Sequence, residues 1–418
     1  MAPVRSALGS LARALHYSAT SPTLLRGVVG PAFGLGPVHG DPGRLSLDAV
    51  RRVLVVRVDE VGDLILTSPL LRELRRALPS AEIDLVVKRE NVGVVDACPH
   101  VNRVIGIPVS QRARLGRFDR QRTAITTARS LRREPYDLAL VPRWDSDYSY
   151  NAAAIAYLAG ARWRVGQRER DWRNVSSDAL FTHVVDDAAL KHEVERNLDV
   201  LRALDIVPAD FRLECWVNER DDHTARELLR HAGMDHEGLI VAVAPSASHP
   251  RRRWPRENFG RVVAWLQKDL AAEVILIGGP ADVEIAQSIE SAAPAPLLNA
   301  VGKTTIGAAT ALIRRANLFI GNDSGPLHMA ASASVPAVAV SCHALSGLRS
   351  HAQSPVRFGP WCVASAVLQP AAAIQPCGDT CVAADAHCIR QISVDDVIDA
   401  SSALLQVREP AGRRRTST

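Results

Sequence analysis

A short apolar run, a polar turn with two glycines and a run of small residues together constrain the fold most strongly. Leu318 to Ile320 carry no charge, which is typical of a strand buried on both faces of a sheet. The turn GNDSGP (321–326) follows, and residues 327–332 are small or apolar at helical spacing. This order predicts one strand–turn–helix unit of an open α/β sheet, which binds ligands at the carboxyl ends of its strands.

The turn carries groups that suit a phosphorylated sugar. Ser324 and Gly325 would place free backbone N–H groups at the helix start, where the helix dipole favours phosphate. Pro326 suits the first helical turn because its missing N–H would have no partner there. Asp323 is negatively charged, so a binding role would be towards ribose or sugar hydroxyls. The alternative is structural, with Asp323 or Ser324 acting as a helix N-cap.

The same unit recurs along the chain. Apolar runs that predict further strands lie at 53–58, 83–87, 101–107, 137–141 and 336–342, and the segments 239–248 and 273–280 each predict a strand that runs into a turn. Helical spacing follows several of them, at 64–78, 281–289 and 308–316, and a last amphipathic helix is predicted at 394–405. Alternation of this kind predicts parallel, doubly wound sheets, and 418 residues allow two domains. We expect an α/β protein with two doubly wound, Rossmann-like domains facing a cleft.

These patterns divide the chain into four parts: an N-terminal extension (1–50), two domains (51–215 and 216–392), and a C-terminal helix with a disordered tail (393–418). Ser6 to Tyr17 could form a basic amphipathic helix on a membrane surface, although a frayed tail is the favoured interpretation. No run of about 18 apolar residues predicts a membrane span. A net charge of +5 and 5% aromatic residues argue against nucleic-acid binding.

Two polar clusters have open interpretations. The arginine-dense segment 112–133 is either a solvated helix face or a positive wall for a phosphorylated or carboxylated acceptor. His192, Glu193 and Arg196 share one helix face, and a helix-surface cluster is favoured over the lining of a cleft.

Three cysteines near the C-terminus stand apart from the other thiols. Cys377, Cys381 and Cys388, with Cys362 as a candidate fourth ligand, could hold zinc or iron. Their spacing matches none of the compact zinc signatures, so reduced cytosolic thiols are the default interpretation.

Three segments together resemble the heptosyltransferases of glycosyltransferase family 9, which act in lipopolysaccharide core assembly. They are VVRVDEVGDLILTSPLLRELRRALPSAEIDLVV (55–87), PSASHPRRRWPRENFGRVV (245–263) and GNDSGPLHMAAS (321–332). The segments 192–204, 276–286 and 303–320 agree, so the resemblance covers roughly residues 50–400.

The resemblance implies a GT-B fold, with the acceptor on the N-terminal domain and the nucleotide-sugar on the C-terminal one. It implies ADP-heptose as donor, a saccharide or lipid-linked saccharide as acceptor, and inversion of the anomeric centre without a metal or another cofactor. It also implies a cytoplasmic protein, with peripheral association at the inner face of the inner membrane as an option.

The resemblance assigns catalytic roles to two residues. Asp63, after Gly62, lies at the position of the family's general base, which takes the proton of the attacking acceptor hydroxyl; its structural alternative is a helix N-cap. Arg252, two residues before a Trp-Pro pair, occupies the family's basic position, usually lysine. Its neighbours Arg251 and Arg253 leave the register open by one.

Further residues are expected to bind the substrates. Cationic side chains and backbone N–H groups must stabilise the departing nucleoside diphosphate. Ser246 would contact phosphate or sugar, and His328 would line the site unless it is a core histidine. The full substrate-binding set is Gly62, Ser246, Arg253, Asp323, Ser324, Gly325 and His328.

One loop departs from the family pattern. SCHALSG (341–347) stands where many relatives have Phe-Gly and a Thr-Asp turn. Because this loop closes on the donor, another nucleotide-sugar, or a protein or secondary-metabolite acceptor, remains an alternative. A non-catalytic nucleotide-sugar-binding protein is the other alternative, against which the retention of Asp63, the basic loop and Asp323 argues.

Overall fold

The computed structural model describes residues 26, 30–32, 45–108, 125–132, 135–142, 150–168, 177–186, 189–234, 238–351 and 353–406. These residues form two six-stranded parallel sheets. The first contains β1 (Arg52–Val56), β2 (Glu82–Lys88), β3 (Arg103–Ile107), β4 (Leu138–Val141), β5 (Trp163–Gln167) and β6 (His183–Val185). The second contains β7 (Ile240–Ala244), β8 (Glu273–Leu276), β9 (Leu298–Asn299), β10 (Leu318–Asn322), β11 (Ala337–Val340) and β12 (Ser365–Leu368).

Helices cover the sheets. They are α1 (Val61–Ile65), α2 (Ser68–Ala77), α3 (Val92–Val95), α4 (Tyr150–Leu158), α5 (Glu193–Arg202), α6 (Glu219–His231), α7 (Arg256–Asp269), α8 (Val283–Ala292), α9 (Ile306–Ile313), α10 (Gly325–Ser332), α11 (Pro355–Phe358) and α12 (Val394–Gln406). Residues 125–131 and Gly30–Ala32 are also helical. Short 3₁₀ segments are Leu47–Ala49, Arg89–Asn91, Ser177–Leu180, Pro250–Arg252, Pro280–Asp282 and Cys388–Gln391. No helix in the described ranges combines the length and apolar character that crossing a bilayer requires.

Both sheets have the doubly wound strand order. In the first, β1 lies between β2 and β4, and the order is β3-β2-β1-β4-β5-β6. In the second, β7 lies between β8 and β10, and the order β12-β11-β10-β7-β8-β9 is the same pattern read from the other edge. The central strands RVLVV and IVAVA are buried almost throughout because helices pack on both faces. The predicted α/β class with two Rossmann-like domains is confirmed.

Two predicted elements have different bounds in the structure. The helix expected at 64–78 is divided into α1 and α2, because Pro69 lies in the first turn of α2, where its missing N–H costs nothing, and would have broken a continuous helix. The strand expected at Leu318–Ile320 extends to Asn322, because Gly321 and Asn322 still pair with β11. The helix after it accordingly begins at Gly325.

The predicted division at residues 215 and 216 falls between the two sheets and stays a prediction. Helix α12 packs on α7 and on strands of the second sheet. Most of the extension 1–50, most of the arginine-dense segment 112–133 and the C-terminal tail lie outside the described residues, and their predicted roles stay predictions.

Candidate active site

The predicted site residues follow the strands on either side of the two topological switch points. A doubly wound sheet binds its ligand where the crossover direction reverses, here beside β1 and beside β7. Asp63 follows β1, Ser246 follows β7, and Asp323 follows β10. These positions place all three at the carboxyl ends of central strands.

The two domains meet where α1 and α10 begin. A Cβ atom added at Gly62 would lie 2.8 Å from His328 Cδ2 and 3.9 Å from Gly325 Cα. A Cβ atom added at Gly325 would lie 3.4 Å from Val61 Cγ1. The structure therefore brings Gly62 of the first domain against Gly325 and His328 of the second, and the close approach explains why glycine is found at position 62.

Gly62→Ala is expected to destabilise the protein by about 1–3 kcal/mol and to lower activity, because the new methyl group overlaps the buried His328 ring. Denaturant unfolding and steady-state kinetics would measure both effects. Gly260→Ala in the interior of α7 is the matched control, since no atom beyond the neighbouring backbone of its own helix lies within 4 Å of its added Cβ and the change should be stabilising. A Gly62→Ala protein as stable and active as the wild type would contradict this interpretation.

Asp63 is held at the start of α1. The Glu60 N–H donates to Asp63 Oδ2 at 3.2 Å, so Glu60 is the N-cap residue and Asp63 is the third helical residue of a capping box. Asp63 Oδ1 lies 3.7 Å from Arg57 Nη2. Burial raises the pKa of Asp63, the Arg57 guanidinium opposes that rise, and the negative charge of Glu193 adds to it. Asp63 is therefore not the N-cap residue of α1, although its carboxylate does help to order the start of the helix.

Arg57 organises the neighbouring acidic groups. Its side chain is fully buried, its Nε lies 3.0 Å from Asp59 Oδ2, and it donates to the Pro142 carbonyl. Glu60 accepts from Lys88 Nζ at 2.6 Å. Asp59 and Glu60 therefore each have a close cationic partner, whereas Asp63 is more distant from its cation. An arginine directly after the apolar strand β1 was the sequence signal for this buried cation.

The helix-surface interpretation of His192, Glu193 and Arg196 is wrong. Glu193 is 0% exposed, and its Oε2 accepts from Arg357 Nη2 of the second domain at 2.9 Å and lies 3.3 Å from Arg196 Nε. His192 Nε2 lies 3.1 Å from the Gly359 carbonyl oxygen. Arg357, a buried arginine of the second domain, covers this face of α5. The polar residues of the face had suggested that it was exposed to solvent. The start of α5 therefore joins the two domains.

The basic loop, which carries Arg251, Arg252 and Arg253, contacts the turn after β10. Arg252 Nη2 donates to the Asp323 carbonyl at 2.5 Å and lies 3.2 Å from Asp323 Oδ2. Arg253 Nε donates to the Ala247 carbonyl within its own loop at 2.7 Å. The Trp254 N–H donates to Asn322 Oδ1 at 2.8 Å. Of these two arginines, Arg252 is the one that contacts Asp323. Burial raises the pKa of Asp323 above its ordinary value, although the positive charge of Arg252 opposes that rise.

The start of α10 has no side-chain cap within the described structure. Ser324 occupies the N-cap position, but its hydroxyl donates back to the Asn322 carbonyl at 3.2 Å. Asp323 pairs with Arg252 instead of capping the helix. Ser324 is therefore the N-cap residue by position, as the structural alternative has it, but neither side chain caps the helix, and the first N–H groups of α10 suit an anion.

The Ser246 hydroxyl already has a hydrogen-bond partner, a carboxylate that the sequence analysis did not identify. Its hydroxyl donates to Asp282 Oδ1 at 2.5 Å, and the Gly279 N–H donates to Asp282 Oδ2 at 2.9 Å. Asp282 thus links the turns after β7 and β8. The acidic residue in the turn GGPAD was the available signal.

His328 is buried and uncharged at neutral pH. It is 4% exposed, and burial, aided by the positive potentials of His192 and Arg252, lowers its pKa to about 3. Its Nδ1 has no hydrogen-bond partner among the described residues. His328 is therefore both a buried histidine and part of the contact with Gly62.

The predicted thiol cluster has a different composition. His387 Nδ1 lies 3.8 Å from Cys377 Sγ and 3.5 Å from Cys388 Sγ. Cys362 is exposed and lies near Asp210 and Arg212. The group of ligand atoms that lie within 4.8 Å of one another is Cys377, His387 and Cys388, so it contains a histidine that was not predicted, and neither Cys381 nor Cys362 belongs to it.

Residues 125–362, more than half of the chain, match the family described as glycosyltransferase family 9 (heptosyltransferase). The chain belongs to glycosyltransferase family 9. Lipopolysaccharide heptosyltransferase 3 of Escherichia coli strain K12 is 29% identical over 313 residues, which cover 72% of this chain and 82% of that protein. Lipopolysaccharide heptosyltransferase 2 of Salmonella typhimurium strain LT2 is 27% identical over 308 residues, 69% of this chain and 82% of that protein.

Solved structures of the same family have the same fold. A family 9 glycosyltransferase of Veillonella parvula superposes with a TM-score of 0.70 at 23% identity, covering 87% of this chain and 99% of that one. Escherichia coli ADP-heptose lipopolysaccharide heptosyltransferase II superposes with a TM-score of 0.64 at 22% identity, covering 86% and 100%. The two facing Rossmann-like domains of this family 9 member are therefore a GT-B fold.

Proposed function

We propose that the chain is an inverting glycosyltransferase that moves a heptose from ADP-heptose to a saccharide of the lipopolysaccharide-core type, with Asp63 as general base and no metal in the chemistry. The names of its relatives supply the donor and acceptor classes. One observation carries the assignment within this chain: a partly buried carboxylate of raised pKa follows β1, at the contact with the second domain. That position suits a base acting on an acceptor beside a donor bound to the other domain.

The proposed reaction is a single displacement. The acceptor hydroxyl oxygen attacks the anomeric carbon while its proton passes to an Asp63 oxygen. The bond from the anomeric carbon to the diphosphate oxygen breaks on the opposite face, and ADP leaves with the electron pair, so the configuration inverts. Because burial disfavours the carboxylate, Asp63 is a stronger base than an ordinary aspartate.

The second domain would bind the leaving group. Arg252 and the uncapped N–H groups after Ser324 would stabilise the growing charge on the diphosphate. Asp323 would accept hydrogen bonds from sugar hydroxyls, and its ion pair with Arg252 would hold that arginine in place. His328, uncharged at neutral pH, would contribute hydrogen bonding and shape rather than charge.

The remaining binding residues would shape the cleft. Ser246 would act together with Asp282, Arg253 would hold its loop through Ala247, and Gly62 would permit the close approach of the domains. The acceptor would bind the domain at 51–215 and the donor that at 216–392. We place the reaction in the cytoplasm, with peripheral contact to the inner membrane where the acceptor is lipid-linked.

The acid limb of the pH profile should report Asp63. The base must be ionised, so kcat/KM should fall as the pH drops through a pKa above the ordinary aspartate value of 3.8. Glu193→Gln removes a negative charge that raises this pKa, and the limb should move to lower pH. Glu195→Gln on the same helix is the control that should leave the limb in place. Unfolding measurements would first show that the Glu193→Gln protein is folded. If the acid limb of its pH profile then lies at the same pH as that of the wild type, the charge of Glu193 does not affect the pKa of Asp63 and the interpretation is contradicted.

The loop 341–347 favours a second candidate, a transferase of the same mechanism with another nucleotide-sugar. This loop carries a buried histidine, His343, in a segment that departs from the family pattern. Turnover of ADP-heptose, UDP-sugars and GDP-sugars with a deacylated core saccharide would distinguish the two. ADP-heptose as the only donor consumed supports the leading proposal, and consumption of another donor overturns its donor assignment. Donor binding without turnover across a wide acceptor panel would favour the non-catalytic alternative.

A further inference from the structure

A histidine and two buried cysteines meet near the C-terminus of the second domain. Cys377 Sγ, His387 Nδ1 and Cys388 Sγ form a group in which all ligand atoms lie within 4.8 Å of one another. Cys377 is 2% and Cys388 3% exposed, so both sulfurs are shielded from solvent. The proposed glycosyl transfer uses none of these residues.

The spacing of these atoms matches the edges of a metal tetrahedron. With Zn–S near 2.3 Å and Zn–N near 2.1 Å, a tetrahedral site has an S···N edge of about 3.6 Å. The observed S···N distances are 3.8 Å and 3.5 Å. One ion could therefore contact His387 Nδ1 and either sulfur at ordinary bond lengths, and the two sulfurs lie within 4.8 Å of each other.

A backbone N–H group points at one of the two sulfurs, as it would at a thiolate. The Ile374 N–H donates to Cys388 Sγ at 3.4 Å. Donors aimed at sulfur stabilise its negative charge and orient a ligating thiolate.

A candidate fourth ligand lies nearby. Cys381 is separated from Cys377 by three residues and lies close to it, but its sulfur is outside the group of three ligand atoms. With Cys381 recruited, the set would be three cysteines and one histidine, a combination typical of closed structural zinc sites, which place two of their cysteines two to four residues apart. The spacing of the three cysteines did not match a compact zinc signature because one of the ligands is a histidine, His387.

We propose that Cys377, His387 and Cys388 bind one transition-metal ion as a structural site, with Cys381 as the fourth ligand once its sulfur moves towards the ion, and with Zn²⁺ as the ion that fits this ligand set best. The segment that the ion would close is attached to the loop 341–351: the Leu348 N–H donates to the Asp379 carbonyl at 3.0 Å, and the Ala373 N–H donates to Ser346 Oγ at 3.1 Å. Beyond Cys388, the Ile392 carbonyl accepts from Trp254 Nε1 at 3.0 Å. A metal ion at this site would therefore stabilise the segment that holds Trp254 and, through Trp254, the basic loop.

Metal analysis of the full-length protein tests the proposal. Protein purified under reducing conditions and desalted should contain about one zinc or iron per chain by mass spectrometry of the elements. Co²⁺ exchanged into the wild-type protein should give the absorption of a tetrahedral thiolate complex, which needs no variant. A strong chelator should lower the thermal midpoint of the wild-type protein.

The variants locate the ion. Cys377→Ser and Cys388→Ser should each reduce the metal content to near zero, whereas Cys362→Ser, which changes an exposed cysteine outside the cluster, should retain it. Metal retained in the cluster variants would overturn the proposal. So would a wild-type protein that, when reduced, binds neither zinc nor cobalt, or one in which Cys377 and Cys388 form a disulfide instead.

Discussion

Asp63→Asn is expected to lower kcat by about 10²- to 10⁴-fold, the usual contribution of a positioned general base. The asparagine oxygen can still accept the Glu60 N–H, so the start of α1 should keep its structure. Affinity for the nucleotide-sugar should change little, because the donor would bind the other domain. Steady-state kinetics together with calorimetric titration of the donor would measure the two effects separately.

Asp59→Asn is the matched control for that change. Asp59 lies in the same turn and shares Arg57 with Asp63, but its carboxylate is closer to the guanidinium, at 3.0 Å against 3.7 Å. Its substitution should cost stability more than rate. Activity of Asp63→Asn within tenfold of the wild type, or an equal loss of kcat in both variants, would contradict the assignment of the base.

Arg252→Ala is expected to lower kcat by about 10²- to 10³-fold, as removal of a donor that stabilises developing charge does elsewhere. The change also leaves the buried Asp323 carboxylate without its ion-pair partner, which should raise its pKa further and cost stability. Arg252→Lys keeps the charge but loses the second N–H of the fork, so most of the activity should remain. Kinetics and thermal unfolding of both variants would separate catalysis from stability.

The neighbouring arginines control for the register of the basic loop. Arg256→Ala removes a half-exposed cation that pairs with Glu257 and should have little effect. Arg253→Ala removes the hydrogen bond to Ala247 and should act mainly by loosening the loop. A larger kcat loss for Arg253→Ala than for Arg252→Ala would show that the catalytic position lies one residue later.

The sequence predicted the fold class because strand and helix patterns are local. Alternating apolar runs and helical spacing identified the parallel sheets, and the turns after β1 and β10 were recognised as the carboxyl ends of strands. The order of the strands was not predicted, since it depends on pairing between distant segments. The break between α1 and α2 was missed because apolar spacing continues across it, although Pro69 was the available signal.

The supporting residues of the site were missed for a related reason. Glu193 and Arg357 are 164 residues apart, and nothing near either one shows that a partner buries it. Ser246 and Asp282 are 36 residues apart, and His387 joins the cysteines only when the loop between Cys377 and Cys388 folds back. Buried polar groups are satisfied by tertiary partners, which local patterns do not contain.

The anomeric configuration of the product tests the proposed function most directly. Wild-type protein would be incubated with ADP-heptose and a deacylated core saccharide, and the new glycosidic bond would be analysed by NMR. We expect a heptosyl product whose configuration is inverted relative to the donor, formed together with an equal amount of ADP. A product that retains the donor's configuration would contradict the single displacement assisted by Asp63.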